Sequence, residues 1–390
     1  MEVFNTNSRI IVTCNKRLSS YLVKEIEDLG FSVKRSFSTG VELEGSVNDC
    51  ITLNLNLRTA SQVLYSLKEF EAPDPATLYN ELVQVAWEEL IDFTGYFSVT
   101  SVVNNEHITT PLFANVKVKD AIVDRIKDKK GVRPNSGPEL NKAVINLYWQ
   151  SSRAEVFIDT SGETLSKHGY RKIPGKAPML EALAASTIMA SRWDRNSTFI
   201  NPMCGSGTLA IEAALLATDK SPGFFRMNYG FMHITGYDEQ VFFVERRKLK
   251  DKAKKQLDFK IIASDISEDA VDIAIKNAKT AGVDQLIDFQ VCDFADTVVP
   301  EGSTGVVIFN PEYGERLGVH TKLEATYKRI GDFMKQNCKG FNGYIFTGNP
   351  DLAKKIGLKA SRRIEFYNGK LDCRLLEYEL YEGTRREEKS

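Results

Sequence analysis

Short apolar runs at residues 9–13, 32–37 and 40–44 have the alternation of half-buried strands, while residues 18–29 and 47–53 repeat apolar positions three and four apart, as one helix face does. Gly30 ends the first of these helices. The first sixty residues therefore predict a small α+β domain. Pro73-Asp74-Pro75 punctuates the chain, and the periodicity then predicts a helix over 76–90, a strand over 96–103 and a helix near 113–129. Strands at 143–149 and 154–159 are spaced to pair. This is a second α+β unit. Neither unit shows a catalytic constellation, which points to a binding or positioning role.

From about residue 180 the pattern changes to short apolar strands at 198–201, 260–264, 287–291 and 305–309, each followed by a loop and usually a helix, as a parallel α/β sheet demands. Residues 341–347 add a strand. Residues 362–367 and 371–380 read as a hairpin joined by a type I′ turn at Asn368-Gly369. A mostly parallel sheet closed by an antiparallel hairpin is the arrangement of class I methyltransferases, so the expected fold is α/β and Rossmann-like after two α+β modules. The expected domains are residues 1–60, 61–165 and 166–390, since single cores rarely grow beyond about 250 residues.

Charge changes this picture little. With 51 basic and 52 acidic residues the formal net charge is -1, so the whole-molecule field cannot gather a polyanion and any nucleic-acid binding must come from local patches. Three runs qualify. Residues 117–133 hold seven basic and three acidic side chains, residues 167–176 have Lys167, Arg171, Lys172 and Lys176 without an acid, and residues 245–260 hold eight basic and three acidic. Taken alone, each run also fits a solvated surface. The amino terminus lacks a signal pattern and no apolar run approaches the roughly 20 residues of a membrane helix, so the cytoplasm is the expected compartment, with no membrane partner. Six cysteines without a CxxC pair and four histidines without ligand spacing predict reduced thiols and no metal. His168 and His320 read as surface or structural, and no obligate protein partner is inferred.

Asn201-Pro202-Met203-Cys204-Gly205-Ser206-Gly207-Thr208 follows a strand and opens a helix, and its glycines let backbone approach a ligand. It lacks the GxGxxG spacing of dinucleotide folds and the GKT ending of phosphate loops, so a neutral or zwitterionic ligand fits better. Asp265, followed by Ile266, sits at the next strand end, where a carboxylate can accept both hydroxyl hydrogens of a ribose. Asp293, one strand later, is placed to accept from an adenine amino group, with Phe294 to border the ring. Either aspartate could instead cap the helix that follows. The most specific signal is Asn310-Pro311-Glu312-Tyr313-Gly314 after the strand 305–309. Methylating an amino nitrogen conjugated to a base needs its lone pair turned toward the methyl donor. The Asn310 side-chain oxygen and the Pro311 carbonyl can accept its two hydrogens, and Tyr313 can stack on a base turned out of its helix. Phe224, Phe225, Tyr229, Phe231 and Met232 form an aromatic-rich insertion that reads more readily as core than as a base-stacking surface.

In this order, the glycine loop, Asp265, Asp293 and Asn310-Pro-Glu-Tyr-Gly-Glu-Arg-Leu-Gly318 resemble bacterial THUMP-domain methyltransferases of large-subunit ribosomal RNA. Thr164-Leu-Ser-Lys-His-Gly-Tyr-Arg171, Ala177-Pro-Met-Leu-Glu181 and Pro222-Gly-Phe-Phe-Arg226 extend the resemblance over essentially the whole chain. It implies a ferredoxin-like part, a THUMP module gripping structured RNA, S-adenosylmethionine as cofactor, and methylation of guanine N2 in 23S rRNA or a ribosome assembly intermediate. Under it, Asn201, Pro202, Cys204, Gly205, Ser206, Gly207, Thr208, Asp265, Ile266, Asp293, Phe294 and Asn310 hold the cofactor. Asn310, Pro311, Glu312 and Tyr313 hold the base. Lys117, Lys119, Arg125, Lys167, Arg171 and Lys172 contact the RNA backbone. Tyr170 and Arg171 could reach the cofactor's methionine end or the RNA, or instead pack between domains. Glu312 departs from the family's usual NPPY and sets a carboxylate beside the base. Some relatives carry a second methyltransferase domain; the sequence ends at Ser390, so one modification is expected. The competing readings are an adenine-N6 methyltransferase acting on DNA or RNA, which shares the tetrad, and an RNA-binding protein without activity.

Overall fold

The computed structural model describes residues 2–106, 108, 110–173, 178–313 and 320–381. Lys176, Ala177, the segment 314–318 that continues the Asn310 motif, the side chain of His320 and the terminus to Ser390 lie outside the described residues. Two compact units are present: residues 1–15, 22–165 and 222–251 form the first, and residues 16–21, 166–221 and 252–390 the second.

The first unit is built on β1 (Ser8–Cys14), α1 (Ser19–Asp28), β2 (Arg35–Phe37), β3 (Gly40–Gly45), α2 (Val47–Asn56) and β4 (Ala60–Glu71). It continues through α3 (Pro75–Val83), α4 (Trp87–Leu90), β5 (Tyr96–Asn104), α5 (Pro111–Lys130), β6 (Asn135–Ser136), β7 (Ala143–Gln150) and β8 (Arg153–Asp159). The strands of both expected α+β segments join one eight-stranded sheet, in the order β2-β3-β1-β4-β8-β7-β5-β6. The join is β4, a twelve-residue strand that the hydrophobic pattern does not announce. It lies between β1 and β8, and a register shift between Ser66 and Lys68 breaks its alternation, so no period-2 signal runs its length.

Local chemistry accounts for the helix starts. Ser46 and Asp49 form a capping box on α2, and Asp74 accepts from the amides of Ala76 and Thr77 with Pro75 in the first turn of α3. The single helix expected over 76–90 is two. Trp87 Nε1 donates to Leu82 O at 2.8 Å, taking a carbonyl at the end of α3, and the chain restarts as α4.

The second unit comprises α6 (Glu181–Ala190), β9 (Thr198–Pro202) and α7 (Thr208–Ala217), then, after α8 (Glu239–Lys252), β10 (Ile261–Asp265), α9 (Glu268–Ala281), β11 (Ile287–Val291), β12 (Gly305–Phe309), α10 (His320–Asn337), β13 (Phe341–Thr347), α11 (Pro350–Lys355), β14 (Arg362–Asn368) and β15 (Leu371–Glu379). All but the last residue of α8 belongs to the first unit. The sheet order is β11-β10-β9-β12-β13-β15-β14, parallel from β11 to β13 and antiparallel at β15 and β14. This is the expected α/β arrangement with its closing hairpin. The turn differs: Asn368 pairs with Leu371, leaving Gly369 and Lys370 as the loop, and only Gly369 has positive φ, so a type I′ turn centred on Asn-Gly is not formed. The core of this unit packs Val307, Phe309, Tyr327, Phe333, Ile345 and Leu376. Among the described residues no helix is long and apolar enough to cross a membrane.

Candidate active site

The chain runs β9, β10, β11 in one direction across the second sheet and then returns to β12 on the other side of β9. Crevices at such reversals, beyond the carboxyl ends of the strands, are where open α/β sheets bind ligands. Here the two strands part early. β9 and β12 pair only from Thr198 to Ile200, and the next acceptor, Ile308 O, is taken at 2.9 Å by the side-chain nitrogen of Asn201. Asn201 Oδ1, on the other end of that amide, is buried with no hydrogen-bond partner among the described residues. The same holds for Oδ1 of Asn310, directly beyond β12. A buried carbonyl oxygen without a donor costs about 1–3 kcal/mol, which a ligand amine or amide can restore.

The glycine loop is folded by left-handed residues: Met203, Gly205 and Gly207 have φ of 57°, 54° and 80°. A Cβ on Gly205 would meet nothing within 4 Å among the described residues, whereas one on Gly207 would lie 2.8 Å from the Ala274 Cβ on α9. Gly205 thus faces open space fit for a ligand, and Gly207 permits helix packing. Cys204 is buried, its amide donates to Ser264 O at 2.8 Å, and burial pushes its thiol well above the usual range. Ser206 and Thr208 are buried beside it, their hydroxyls 3.4 Å apart.

Asp265 fastens the loop. Its Oδ2 accepts from the Gly205 amide at 2.9 Å and Oδ1 from the Ser267 amide at 3.0 Å. Ser267, not Asp265, caps α9. Each carboxylate oxygen has a second lone pair, so the group can still accept a pair of hydroxyls. Ile266 follows at 72% exposed, and Val291, 54% exposed, ends β11 as the register partner of Asp265. Val291 was not singled out from the sequence; its only signal is being the last apolar residue of its strand. Asp293 does cap: its Oδ1 accepts from Ala295 N at 2.9 Å and from Arg329 Nη2 at 2.7 Å. Phe294 lies in the core, edge-on to Phe309 and Phe333, with the Arg329 guanidinium 4.8 Å from its ring centroid.

At the tetrad, Pro311 is buried, Glu312 is exposed and Tyr313 is half-buried. The Tyr313 hydroxyl accepts from Asn368 Nδ2 at 2.9 Å, and its carbonyl accepts from Asn349 Nδ2 at 3.4 Å. Burial raises the Tyr313 pKa, and the Asn368 bond partly offsets this. Asn368 is legible in the sequence only as a turn residue and Asn349 not at all, because only the fold brings them to the tetrad.

The basic candidates divide. Lys167 and Lys172 are exposed, and Lys117 and Lys119 are partly exposed, with Lys119 2.9 Å from Asp120. The structure gives Arg125 and Arg171 internal partners where the sequence suggested solvent-facing contacts. Arg125 binds Glu88 through Nε and Nη2, at 3.1 and 2.8 Å. Arg171 donates through Nη2 to Met179 O and to Thr208 Oγ1, and its partner Glu181 is 3.3 Å away. Beneath it, His168 Nδ1 is 2.7 Å from Glu212 Oε1, both fully buried, so His168 is structural. Of the aromatic insertion, Tyr229 and Phe231 are core residues.

The family model described as RMKL-like, methyltransferase domain, matches residues 168–377, more than half of the chain. The chain belongs to this family. Residues 9–64 match the RlmL ferredoxin-like domain and residues 74–159 the THUMP domain. Among curated relatives of this RMKL-like chain, ribosomal RNA large subunit methyltransferase K/L of Syntrophotalea carbinolica is 34% identical over 384 residues, 96% of this chain and 54% of the relative. The protein of the same name from Psychromonas ingrahamii is 34% identical over 369 residues, 94% of this chain and 49% of the relative. The chain spans about half the length of the curated relatives it matches. A candidate methyltransferase crystallised with SAH superposes with a TM-score of 0.87 at 26% identity, covering 97% of this chain and all of that one. A protein from Listeria monocytogenes described as a predicted N6-adenine-specific DNA methylase gives 0.85 at 29% identity, covering 96% of this chain and 97% of that one. The crevice between β9 and β12 therefore lies in the RMKL-like methyltransferase domain.

Proposed function

We propose that the chain transfers a methyl group from S-adenosylmethionine to the exocyclic N2 of a guanine in large-subunit (23S) ribosomal RNA, in the cytoplasm. The observation that carries this reading is Asn310 Oδ1, buried at the end of β12 with no donor among the described residues. The domains would be a ferredoxin-like part at 1–60, a THUMP module at 61–165 and the methyltransferase at 166–390, of which residues 222–251 fold with the first unit.

The cofactor supplies an electrophilic methyl group. Fit for it rests on the open space at Gly205, the free lone pairs of Asp265 for ribose hydroxyls, and the exposed aliphatic faces of Ile266 and Val291 for an adenine ring. Both bonds to Asp293 fall on Oδ1, leaving Oδ2 to accept an amino group. Asn201, Pro202, Cys204, Ser206 and Thr208 hold the loop in shape, and Phe294 supports Asp293 from the core. On the substrate side, Asn310 Oδ1 and the Pro311 carbonyl accept the two hydrogens of the target amine. That turns the nitrogen lone pair toward the donor. Tyr313, tethered by Asn368, offers its ring to the flipped base. Glu312, exposed beside them, can accept from the guanine edge. No general base is required, because the alkylated amine is far more acidic than the neutral one and its proton leaves to water. Lys117, Lys119, Lys167 and Lys172 contact RNA phosphates under this reading, and Arg125 and Arg171 act through their internal partners.

The test is transfer of radiolabelled methyl from S-adenosylmethionine to total RNA from cells lacking this gene, followed by digestion to nucleosides. Label in N2-methylguanosine of large-subunit RNA is expected. Label on adenine would replace this reading with the N6 alternative, and an absence of label with cofactor binding intact would leave a protein that grips RNA without modifying it.

A further inference from the structure

Helix α8 carries the start of the third basic run, which the reading above leaves without a role. Its inner side is fixed by packing. Phe242 and Leu249 are buried, and Phe242 meets the rings of Tyr229 and Phe231 at centroid distances of 6.2 Å. Between them Arg246 turns inward, donating from Nη2 to Phe224 O at 3.1 Å and lying over the Phe224 and Phe242 rings at 5.4 and 5.5 Å. The outer side then holds Phe243, Val244, Arg247, Lys248, Lys250 and Asp251, all exposed.

Phe243 packs edge-on against Phe242, with ring centroids 5.6 Å apart, and leaves its other side to solvent. Phe243 is 48% exposed and Val244 51%, on a helix whose apolar needs Phe242 and Leu249 already meet. Phe243 and Arg247 stand four residues apart, which makes them neighbours on the helix surface. Glu245 is occupied by Lys248 at 2.6 Å, so Asp251 alone opposes Arg247 and Lys250 on this face. Cations interleaved with an exposed ring suit a polyanion that also offers π-faces. An anionic membrane surface suits them less well, because interfacial helices bury a broad apolar face and here that face is already packed inward.

We propose that the outer face of α8 is an RNA docking surface, with Arg247 and Lys250 on the phosphodiester backbone and Phe243 stacked on an unpaired base. The choice of RNA as the polyanion rests on the function proposed above. The test is an anisotropy titration of a labelled RNA stem-loop with the full chain across a range of salt, for wild type, R247Q/K250Q, F243A and F243L. R247Q/K250Q should reduce the slope of log affinity against log salt by about one to two. F243A and F243L should weaken binding by roughly 5- to 100-fold with the slope unchanged, as loss of one stacked base does. Wild-type affinity and slope in all three variants would overturn the proposal. So would variants that keep RNA binding but lose binding to phosphatidylserine-containing vesicles. A wild-type chain that binds RNA through α8 yet methylates none would sink the proposed activity and leave this surface standing. Active methylation with α8 variants that bind like wild type would sink only the surface.

Discussion

Each unit contains parallel strand pairing, yet the two ladders end in opposite ways. In the first unit β5 and β7 run parallel in unbroken register from Phe97 and Ala143 to Asn104 and Gln150. In the second, β9 and β12 stop pairing after Ile200 and Val307, a side chain takes the next carbonyl, and two asparagine oxygens are left buried with no donor among the described residues. A buried carboxylate sharpens the contrast. Asp159 in the first unit is fully enclosed, accepting from Ser161 N and Gly162 N at 3.0 and 3.2 Å and from Gln62 Nε2 at 2.7 Å. Asp265 in the second is open enough to accept more. Buried polar atoms without partners among the described residues occur in both units, Asn54 Oδ1 and Asn115 Oδ1 in the first included, but those of Asn201 and Asn310 flank a sheet reversal, where open α/β sheets bind ligands.

The largest expected break in this contrast is Asn310→Ala. Methyl transfer should fall by about 10²- to 10³-fold or more, since a positioning acceptor is lost, while cofactor affinity from calorimetry stays nearly unchanged. A variant as active as wild type would remove Asn310 from the site. Next is Asp265→Ala, which loses charge-assisted bonds to both the loop and the ribose. S-adenosylmethionine should bind roughly 10- to 150-fold more weakly by calorimetry, and an unchanged affinity would reassign the carboxylate to loop structure alone.

The two loop glycines separate ligand space from packing space. Gly207→Ala places a Cβ against Ala274 at a positive φ and should destabilise the second unit by roughly 2–4 kcal/mol in denaturant unfolding. Gly205→Ala meets open space and should cost only about 1–2 kcal/mol of backbone strain, but should weaken cofactor binding. Equal stability losses would show that the loop's two sides are not distinct.

A pH-dependent effect concerns Asp159. Burial raises its pKa from 3.8 to about 7, so the folded state holds the proton more tightly than the unfolded chain. Its contribution is complete below about pH 4 and is lost as pH rises toward 7, with no further change above. Asp159→Asn should remove that slope from thermal melts taken between pH 5 and 8. A slope equal to wild type would mean the carboxylate is not the titrating group.

Much of the second unit could be read along the chain. Its inner strands β9, β10 and β12 are short, largely buried apolar runs that end near Asn201, Asp265 and Asn310, while the edge strand β11 alternates Asp288 and Gln290 with apolar residues. The motif residues Asn201, Gly205, Asp265, Asp293 and Asn310 fall at consecutive strand ends. In the first unit β4 escaped notice, because a bulge scrambles its alternation and its partners lie on either side in space. The site roles of Asn349, Asn368 and Arg329 are illegible for a different reason. A side chain that acts on Tyr313 or Asp293 from another element carries no local periodicity.

The sequence by itself determined which residues end strands, where helices are capped and which loop must bend through left-handed backbone, because these depend on neighbours a few positions away. Only the tertiary structure decided that two α+β segments share one sheet, that residues 222–251 join the first unit, that Arg125 and Arg171 turn inward to Glu88 and Glu181, and that the oxygens of Asn201 and Asn310 are left buried with no donor among the described residues. Each of these depends on what stands opposite across tens or hundreds of residues, where a hydrogen bond or an ion pair forms only after the chain has closed the distance.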